Sequence, residues 1–452
     1  MRAVWPTHRI APHPVGAHAV RVVWWDNGDV VRILMPSEQR FVRHATYTGR
    51  SVRVCGGLDT AALDAAFAAL TRAYPVLVCR IGEDADGNGH LLRPSGEPVR
   101  TWVAPGDPGS VRIPGAAIDP RDRLAYLDVT PAVAGIARVT LFVHHAVADA
   151  GHCVELFTRL WSYYTDYVET GDVSVVPHDY PRSLEWYAAE CGVARGPLSG
   201  LERVHRPLEA NERIVPPDPP HPVPPALAHP ARTVLDVETT SRVVDLGRTS
   251  GIGVNGLVTA ALLRAWAAER APGEPLRVNC VYPVDLRARS TPPVAAAAGT
   301  NMAGLTGFSA RIDPATGFAE LGARVAEHLR DDLASGLIAQ SVLHFPDYFG
   351  PRRVYSLAGH IAITNTGRVP IFRSPDGLEL SDYEIVYLSA HPRPSAGASA
   401  AVTFLVYTSA DRLTVGVLGG GEAGARLPDA VAKQLHTLAA ESVGDRRTTK
   451  GN

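Results

Sequence analysis

The sequence predicts an α/β protein of two similar lobes, each made of a mixed sheet and helices, and three observations support this. The chain has 452 residues, about three times the ~150 residues of an average domain, so each lobe can bury its own core. Strand-like and helix-like segments occur together in both halves. A stretch between them is too rich in proline for a helix interior or a central strand. We therefore expect an N-terminal extension at 1–33, a first lobe at 34–175, a crossing linker at 176–231 and a second lobe at 232–452.

After the extension, the first half begins with a strand at SVRVCGG and a helix in LDTAALDAAFAALTRAYPVL. Asp59 or Thr60 suits the N-cap, because either side chain can accept hydrogen bonds from free N–H groups, and Pro75 lies beyond the helix end. The turn EDADGNG contains Asp-Gly and Asn-Gly pairs, which supply the positive φ of a hairpin between strands near VLVCRIG and HLLRP. Strands RLAYLDV and ARVTLFVHH and a long helix near CVELFTRLWSYYTDYVETG complete this lobe.

The second half repeats the mixture of strands and helices. It predicts a strand at RTVLDVE, helices at SRVVDLGRTS and NGLVTAALLRAWAAER, a strand at LRVNCVYPV and a loop at DLRARSTPPVAAAAGTN. A helix near FAELGARVAEHLRDDLASG then precedes strands near HIAIT, YEIVYLSA, AAVTFLVYT and RLTVGVL, and PDAVAKQLHTLAAES is the final helix.

Composition excludes several classes of protein. The formal net charge is −2, so nothing indicates the concentrated basic surface that nucleic-acid binding needs. The cysteines number five, none in a CxxC pair, which favours free thiols in a reducing cytosol over a disulfide framework or a cysteine zinc site. There is no signal-peptide pattern and no apolar run of about 20 residues. We expect a cytoplasmic protein that is not integral to a membrane.

Common catalytic and nucleotide motifs are missing or misplaced. GIGVNG and GGGEAG match GxGxxG, but the first follows a helical segment and the second leaves no room for a strand after its helix, so both are interpreted as turns that connect helices. GxSxG, HExxH and a Walker lysine are absent. The sequence therefore lacks the anchor of a nucleophile-elbow hydrolase, a zincin or a P-loop enzyme.

The segment VTLFVHHAVADAGHCVEL ends a strand on two histidines. Side chains alternate along a strand, so His144 and His145 face opposite ways and only one can serve a given cavity. Asp149 lies just beyond and can fix the turn that presents the nearer histidine, His145. Two other interpretations stay open: a buried histidine pair satisfied by the backbone, and a metal site formed by His145, Asp149 and His152.

HHAVADAG also resembles HHxxxDG, the signature of the condensation-domain and chloramphenicol-acetyltransferase superfamily. Ala150 stands where the motif has glycine, and Gly151 follows; if this position needs positive φ, either the turn differs or Gly151 takes over. Within that superfamily, four segments resemble, in order, the polyketide-associated acyltransferases of the phthiocerol dimycocerosyl transferase type: PLSGLERV, VYPVDLR, PPVAAAAGTNMAG and DLASGLIAQSVLHF. The resemblance runs from about Ile33 to the last helix and implies two chloramphenicol-acetyltransferase-like lobes with a tunnel at their interface.

The resemblance implies a role for each matching residue. His145 would be the general base, with Asp149 as a structural brace that pairs with Arg287 of VYPVDLR. His144 would support the strand, and the backbone N–H of Gly151 is a candidate donor to the oxyanion. A further pair of residues, in ITNTGRVP, would contact substrate: Thr364 and Asn365.

The implied reaction is transfer of an acyl group from acyl-CoA, or from the phosphopantetheine of an acyl carrier protein, to a hydroxyl of a polyketide or related lipid. No serine or cysteine lies in a recognisable nucleophile context, so we expect a ternary complex and no covalent enzyme intermediate. We also expect a monomeric enzyme, no bound cofactor and no metal. Arg324 and Arg330 either meet an acidic carrier protein or form a solvated helix face. Two alternatives remain: amide formation on an amine acceptor, and a non-catalytic module that docks a carrier protein.

Overall fold

The computed structural model describes residues 25–96, 99–114, 118–131, 135–213, 223–350, 353–393 and 400–448. The helices in these ranges are α1 Pro36–Gln39, α2 Thr60–Ala73, α3 Ala150–Thr170, α4 Leu184–Glu190, α5 Val237–Thr249, α6 Val254–Arg270, α7 Phe318–Ala334, α8 Leu337–Ser341, α9 Phe345–Tyr348 and α10 Leu427–Thr448. The strands are β1 Val30–Ile33, β2 Thr46–Cys55, β3 Arg80–Glu83, β4 Gly89–Leu92, β5 Trp102–Val103, β6 Ala125–Thr130, β7 Ile136–His144, β8 Arg206–Pro207, β9 Ala226–Ala228, β10 Ala231–Val234, β11 Leu276–Asp285, β12 Ala303–Ile312, β13 Tyr355–Ser356, β14 Ile361–Arg368, β15 Glu379–Ser389, β16 Val402–Ser409 and β17 Arg412–Gly419.

Two six-stranded mixed sheets organise these elements. The first has the order β5-β6-β7-β2-β15-β9 and the second the order β10-β17-β16-β14-β11-β12. Side chains of α2 and α3 share a buried core with the first sheet, and α5, α6, α7 and α10 share one with the second. The predicted α/β class with two lobes of sheet and helices is therefore confirmed.

One strand of the first sheet comes from the second half of the chain. Strand β15 pairs antiparallel with β2, from Glu379 opposite Cys55 to Ser389 opposite Thr46. On its other side it pairs with β9, which lies in the predicted linker. Cutting the chain at residue 232 would therefore not separate the two sheets. The four predicted ranges themselves stay a prediction.

Some elements differ from the sequence expectation. Strand β12 pairs with β11 along its whole length, yet its sequence AGLTGFSARI is rich in small residues with weak β preference, so no strand was predicted there. Helix α4 lies within the linker, where no proline interrupts it and Ser183 caps it by accepting from the Trp186 N–H. Strand β1 lies within the predicted extension and pairs with β4. Residues 1–24 of that extension and 214–222 of the linker lie outside the described ranges.

Helix α3 positions the histidine motif. Asp149 is its N-cap and accepts a hydrogen bond from the His152 N–H. Gly171 ends the helix with φ 77°, a left-handed conformation that glycine adopts at low cost. One face of the helix is buried in the first core, so the helix packs on the first sheet. The buried residues of this face include Leu156, Phe157, Leu160, Trp161 and Tyr164.

Gly253 of GIGVNG has φ 85° and begins α6 directly after α5, so this match to GxGxxG is a turn between two helices, as expected. Within the described residues, no single helix is both long and apolar enough to cross a membrane. Helices α5 and α6 meet that criterion only when taken together, and they are bent by 115° relative to each other.

Candidate active site

His144 is the last residue of β7 and is completely buried. Its ring packs edge-on against Tyr47 at 5.0 Å, and its Nδ1 accepts a hydrogen bond from the Ala146 N–H at 3.3 Å. Burial lowers its pKa to about 3, so the ring is neutral at physiological pH. The geometry is that of a packing residue.

His145 follows in the turn between β7 and α3, and its ring lies between two aromatic side chains. Phe41 stacks on it with centroids 4.1 Å apart, and Tyr387 of β15 lies at 5.8 Å. Its Nδ1 is 2.8 Å from the Ala148 carbonyl oxygen. Because a carbonyl only accepts, Nδ1 must carry the proton, and the lone pair of the neutral ring is on Nε2.

Burial has the largest effect on His145 and lowers its pKa to about 4, against the opposing hydrogen bond with Ala148. The positive charges of Arg40 and Arg50 lower the pKa as well, whereas the Asp149 carboxylate raises it. His145 is therefore a neutral imidazole with an available Nε2 over the whole neutral pH range, which is the state a general base needs.

Both carboxylate oxygens of Asp149 accept hydrogen bonds from groups other than the His145 ring. Oδ1 accepts from the His152 N–H at 2.9 Å, while Oδ2 accepts from Arg287 Nη1 at 2.6 Å and from the Met302 N–H at 2.8 Å. Burial raises the pKa of this carboxyl group, but the Arg287 charge and the hydrogen bonds hold it below its ordinary value. Asp149 is thus an ionised helix cap tied to the second half of the chain.

Arg287 lies just after β11 and is 6 % exposed. Only one of its terminal nitrogens reaches Asp149; Nη2 donates to the Thr300 carbonyl at 2.8 Å. Nη1 also lies 3.2 Å from Asp285 Oδ1. The ion pair therefore uses one guanidinium nitrogen on Asp149, although a guanidinium could supply two. The second nitrogen instead binds the backbone at Thr300.

That segment, residues 299–302, contacts several parts of the motif. Gly299 lies so close to His152 that a Cβ atom there would be 2.1 Å from the ring. The Asn301 side chain donates to the His145 carbonyl oxygen at 3.3 Å, and Met302 is the backbone donor to Asp149. In the sequence, PPVAAAAGTNMAG shows only its resemblance to the family. The contact of Asn301 with the motif cannot be predicted there, because it joins the two halves of the chain.

Ala150 at the motif glycine position requires no special backbone. It is the first residue of α3, and neither it nor Gly151 is among the described residues with positive φ. Gly151 therefore does not substitute for a missing left-handed glycine. Its N–H has no partner among the described hydrogen bonds, as expected of an early position in a helix.

Thr364 and Asn365 lie on β14, which runs parallel to β11. Because the strands are parallel, the carboxyl end of β14 lies on the same side of the sheet as Arg287, and Thr364 and Asn365 are the fourth and fifth of the eight residues of β14. Asn365 Nδ2 donates to Asn255 Oδ1 at 3.0 Å. No described hydrogen bond joins either residue to His145, and contact with substrate stays a prediction.

The remaining candidates are separate from the motif or engaged elsewhere. Arg324 and Arg330 are both exposed on α7, which either predicted role would require. His152 Nδ1 lies 2.7 Å from the Ala296 carbonyl oxygen. Over the described ranges, no three His, Cys, Asp or Glu side chains are placed to hold a metal ion.

The chain is similar in sequence to known proteins. The family described as "Phthiocerol/phthiodiolone dimycocerosyl transferase C-terminus" matches residues 224–418. A phthiocerol/phthiodiolone dimycocerosyl transferase of Mycobacterium bovis is 34% identical over 372 residues, which cover 78% of this chain and 85% of that protein.

Solved structures extend the similarity to the whole fold. Polyketide synthase associated protein 5 from Mycobacterium tuberculosis superposes with a TM-score of 0.75 at 28% identity, covering 91% of this chain and 99% of that one. The first condensation domain of the CDA synthetase has a TM-score of 0.58 at 18% identity, over 91% and 97% of the two chains, and shares the fold. The chain therefore belongs to the phthiocerol/phthiodiolone dimycocerosyl transferase family and is an acyltransferase with a condensation-domain fold.

Proposed function

We propose that this acyltransferase moves an acyl group from a thioester to the hydroxyl of a polyketide or related lipid, with His145 as general base. One observation carries the proposal. His145 is held between two aromatic rings with Nδ1 committed to the Ala148 carbonyl, so that its single unprotonated nitrogen is Nε2. An imidazole fixed in one tautomer, with a pKa of about 4, is unprotonated at neutral pH, so its Nε2 lone pair can accept a hydrogen bond from the acceptor hydroxyl.

The reaction follows from this arrangement. Nε2 accepts the proton of the acceptor hydroxyl as its oxygen bonds to the thioester carbonyl carbon, and the carbonyl oxygen becomes an oxyanion. When the tetrahedral intermediate collapses, the C–S bond breaks and the imidazolium returns its proton to the leaving thiolate. The products are an ester and a free thiol, and no covalent enzyme intermediate forms.

The surrounding residues have supporting roles. Asp149 and Arg287 brace the turn that carries His145, because their ion pair ties the N-terminus of α3 to the end of β11. The Gly151 N–H, near the start of the helix and without a described partner, is our candidate donor to the oxyanion. Thr364 and Asn365 are proposed to contact substrate from the second sheet.

The substrates are proposed by analogy with the family. The relative from M. bovis is named for dimycocerosyl transfer involving phthiocerol or phthiodiolone, so an acyl thioester and a hydroxylated polyketide lipid are the natural pair to test here. The donor is either acyl-CoA or an acyl carrier protein.

His145→Gln tests the proposal, because glutamine fills much of the same space but cannot take a proton. Purified protein is incubated with a panel of acyl-CoA donors and matched alcohol and amine acceptors, and the products are identified by mass spectrometry. We expect ester formation to fall by about 100-fold or more in the variant, with the melting temperature unchanged. A variant that keeps most of its activity would refute the role of His145.

The same panel decides between the alternatives. Faster reaction with amines than with the matched alcohols would assign amide formation. Tight binding of an acyl carrier protein without turnover of any acceptor would assign a docking module.

A further inference from the structure

Two arginine side chains near His145, Arg40 and Arg50, lack an acidic hydrogen-bond partner among the described residues. We infer that they bind a carboxylate group carried by one of the two substrates. This inference rests on the proposed function, since it assigns that carboxylate to the donor or the acceptor of the acyl transfer.

Arg50 is 1 % exposed and lies in the middle of β2. Its guanidinium donates only to neutral acceptors: Thr48 Oγ1 at 2.7 Å, the Gly49 carbonyl at 3.2 Å and the Ala150 carbonyl at 3.3 Å. Its Nε has no hydrogen-bond partner among the described residues. The buried hydroxyl of Tyr383, which interacts electrostatically with Arg50, also has none. Arg50 therefore has an unused donor, and among the described residues its charge has no ion-pair partner, although the Asp149 carboxylate acts on it from a distance.

Arg40 lies among aromatic rings near the motif. Its guanidinium carbon lies 4.7 Å, 5.2 Å and 5.5 Å from the ring centroids of Phe41, Phe345 and Phe349. Its described hydrogen bond, to Asn301 Oδ1, is long at 3.4 Å, and Nε has no partner. Desolvation lowers its pKa to about 10, which the carboxylates of Glu185 and Asp149 oppose from a distance.

Those two carboxylates are already engaged. Glu185 accepts hydrogen bonds from the Ser37 N–H and hydroxyl, each at 2.8 Å. Asp149 is bound to Arg287. Neither is therefore placed to neutralise Arg40 directly, and no carboxylate forms an ion pair with Arg50 among the described contacts.

The other buried arginines in the described ranges are paired. Arg138, 2 % exposed, donates to Glu384 and Asp382 at 2.6 Å each, and Arg287 donates to Asp149. A buried charge without a counterion costs free energy, which a protein offsets when the charge serves a ligand. Arg50 is the exception among the buried arginines, and the partly buried Arg40 also lacks a carboxylate hydrogen-bond partner among the described residues. Together they point to a function.

Both arginines lie close to the reacting centre. Arg50 shares a sheet face with Thr48, which is paired across the strands with Tyr387, and Tyr387 contacts the His145 ring. Arg40 precedes Phe41, which stacks on the same ring, and both charges act on His145. A carboxylate accepts charge-assisted hydrogen bonds from guanidinium groups and would use the free Nε donors.

The first test compares matched substrates in the wild-type enzyme. In the donor arm, adipoyl-CoA and suberoyl-CoA are compared with hexanoyl-CoA and octanoyl-CoA, using a neutral alcohol. In the acceptor arm, ω-hydroxyhexanoate is compared with its primary amide, using a neutral donor. We expect kcat/KM to favour the carboxylate in one arm by about tenfold to 100-fold, and the arm that responds identifies which substrate carries the charge.

The second test removes the charges. The quantity measured is the ratio of kcat/KM for the carboxylate substrate to kcat/KM for its neutral match. Arg40→Met and Arg50→Met should each bring this ratio towards one, and Arg50→Lys should keep part of the preference. Arg53→Met is the matched control: Arg53 is on the same strand, exposed, and on the opposite face, so its removal should leave the ratio at the wild-type value. If a methionine variant fails to fold, the wild-type comparison still decides the inference.

Two outcomes would overturn it. A wild-type ratio near one in both arms would exclude a carboxylate-binding pair. Equal losses for charged and neutral substrates in the methionine variants would instead assign the arginines to the oxyanion. Calorimetric titration with adipate and ω-hydroxyhexanoate distinguishes failure of this inference from failure of the proposed function. If the wild-type protein binds them and Arg50→Met does not, but no arm shows acyl transfer, the proposed function is refuted and the carboxylate site is supported.

Discussion

Arg287→Met should destabilise the protein strongly, since it removes the cation from a buried carboxylate. The Asp149 and Arg287 side chains are 10% and 7% exposed, and their atoms are 2.6 Å apart. Loss of one partner from a buried pair costs about 3–5 kcal/mol. Two backbone N–H groups, of His152 and Met302, continue to bind Asp149, so we expect the lower end, about 3 kcal/mol. Acyl transfer should fall too, because the turn carrying His145 loses its brace.

Urea denaturation of the single variants and of Asp149→Asn/Arg287→Met measures this loss as a double-mutant cycle. Asparagine keeps the N-cap oxygen but removes the stranded charge, so the double variant should be more stable than the sum of the single losses implies, by about 1–3 kcal/mol. A loss below about 1 kcal/mol in Arg287→Met, typical of an exposed pair, together with no coupling, would refute the reasoning.

The pH dependence supplies a further check on the same pair. The pKa of Asp149 is held below its ordinary value, so the pair stabilises the fold above the unfolded-state pKa of about 3.9. That contribution is lost as the pH falls through the lower, folded-state pKa. The stability difference between wild type and Arg287→Met should therefore be full at neutral pH and shrink in acid; a constant difference would contradict the assignment.

Three other predictions follow from the site. The acid limb of the pH profile of kcat/KM should have its midpoint near pH 4, the pKa of His145, because the imidazole is neutral above that pH. A midpoint near pH 6.5 would argue against a lowered pKa of His145. Asn301→Ala should lower kcat about fivefold with KM unchanged, because one hydrogen bond of about 1 kcal/mol to the His145 carbonyl is lost; steady-state kinetics that show a KM effect alone would contradict a positioning role. Gly299→Ala should cost about 1–3 kcal/mol, because its Cβ would meet the His152 ring; thermal denaturation should show no such loss for the control Gly317→Ala, whose Cβ would meet nothing within 4 Å.

Local patterns in the sequence predicted most of the elements. Helix α2 begins after Asp59 and ends before Pro75, because capping and proline geometry act over a few residues. Strand β12 was missed because its small residues gain their strand conformation from pairing with β11. The placement of β15 in the first sheet could not be predicted, since strand exchange depends on contacts between distant parts of the chain.

The candidate site could likewise be predicted only in part. Strand alternation predicts that the two histidines face differently, and the structure has one ring packed on Tyr47 and the other between Phe41 and Tyr387. The partners of those rings could not be read from the sequence, because each lies on another element. Arg40 and Arg50 could not be identified from the sequence for the same reason, because the lack of a carboxylate partner can be recognised only once the neighbours of each side chain are known.

The position of β15 also bears on how the molecule is made. The first sheet is completed by a strand that ends at Ser389, and that strand brings Tyr387 to the His145 ring. A ribosome must therefore synthesise most of the chain before the early strand β2 gains β15 as its second neighbour. Until then that edge of β2 is open to wrong partners. A nascent chain stopped before residue 379 would hold the whole histidine motif without one wall of its site.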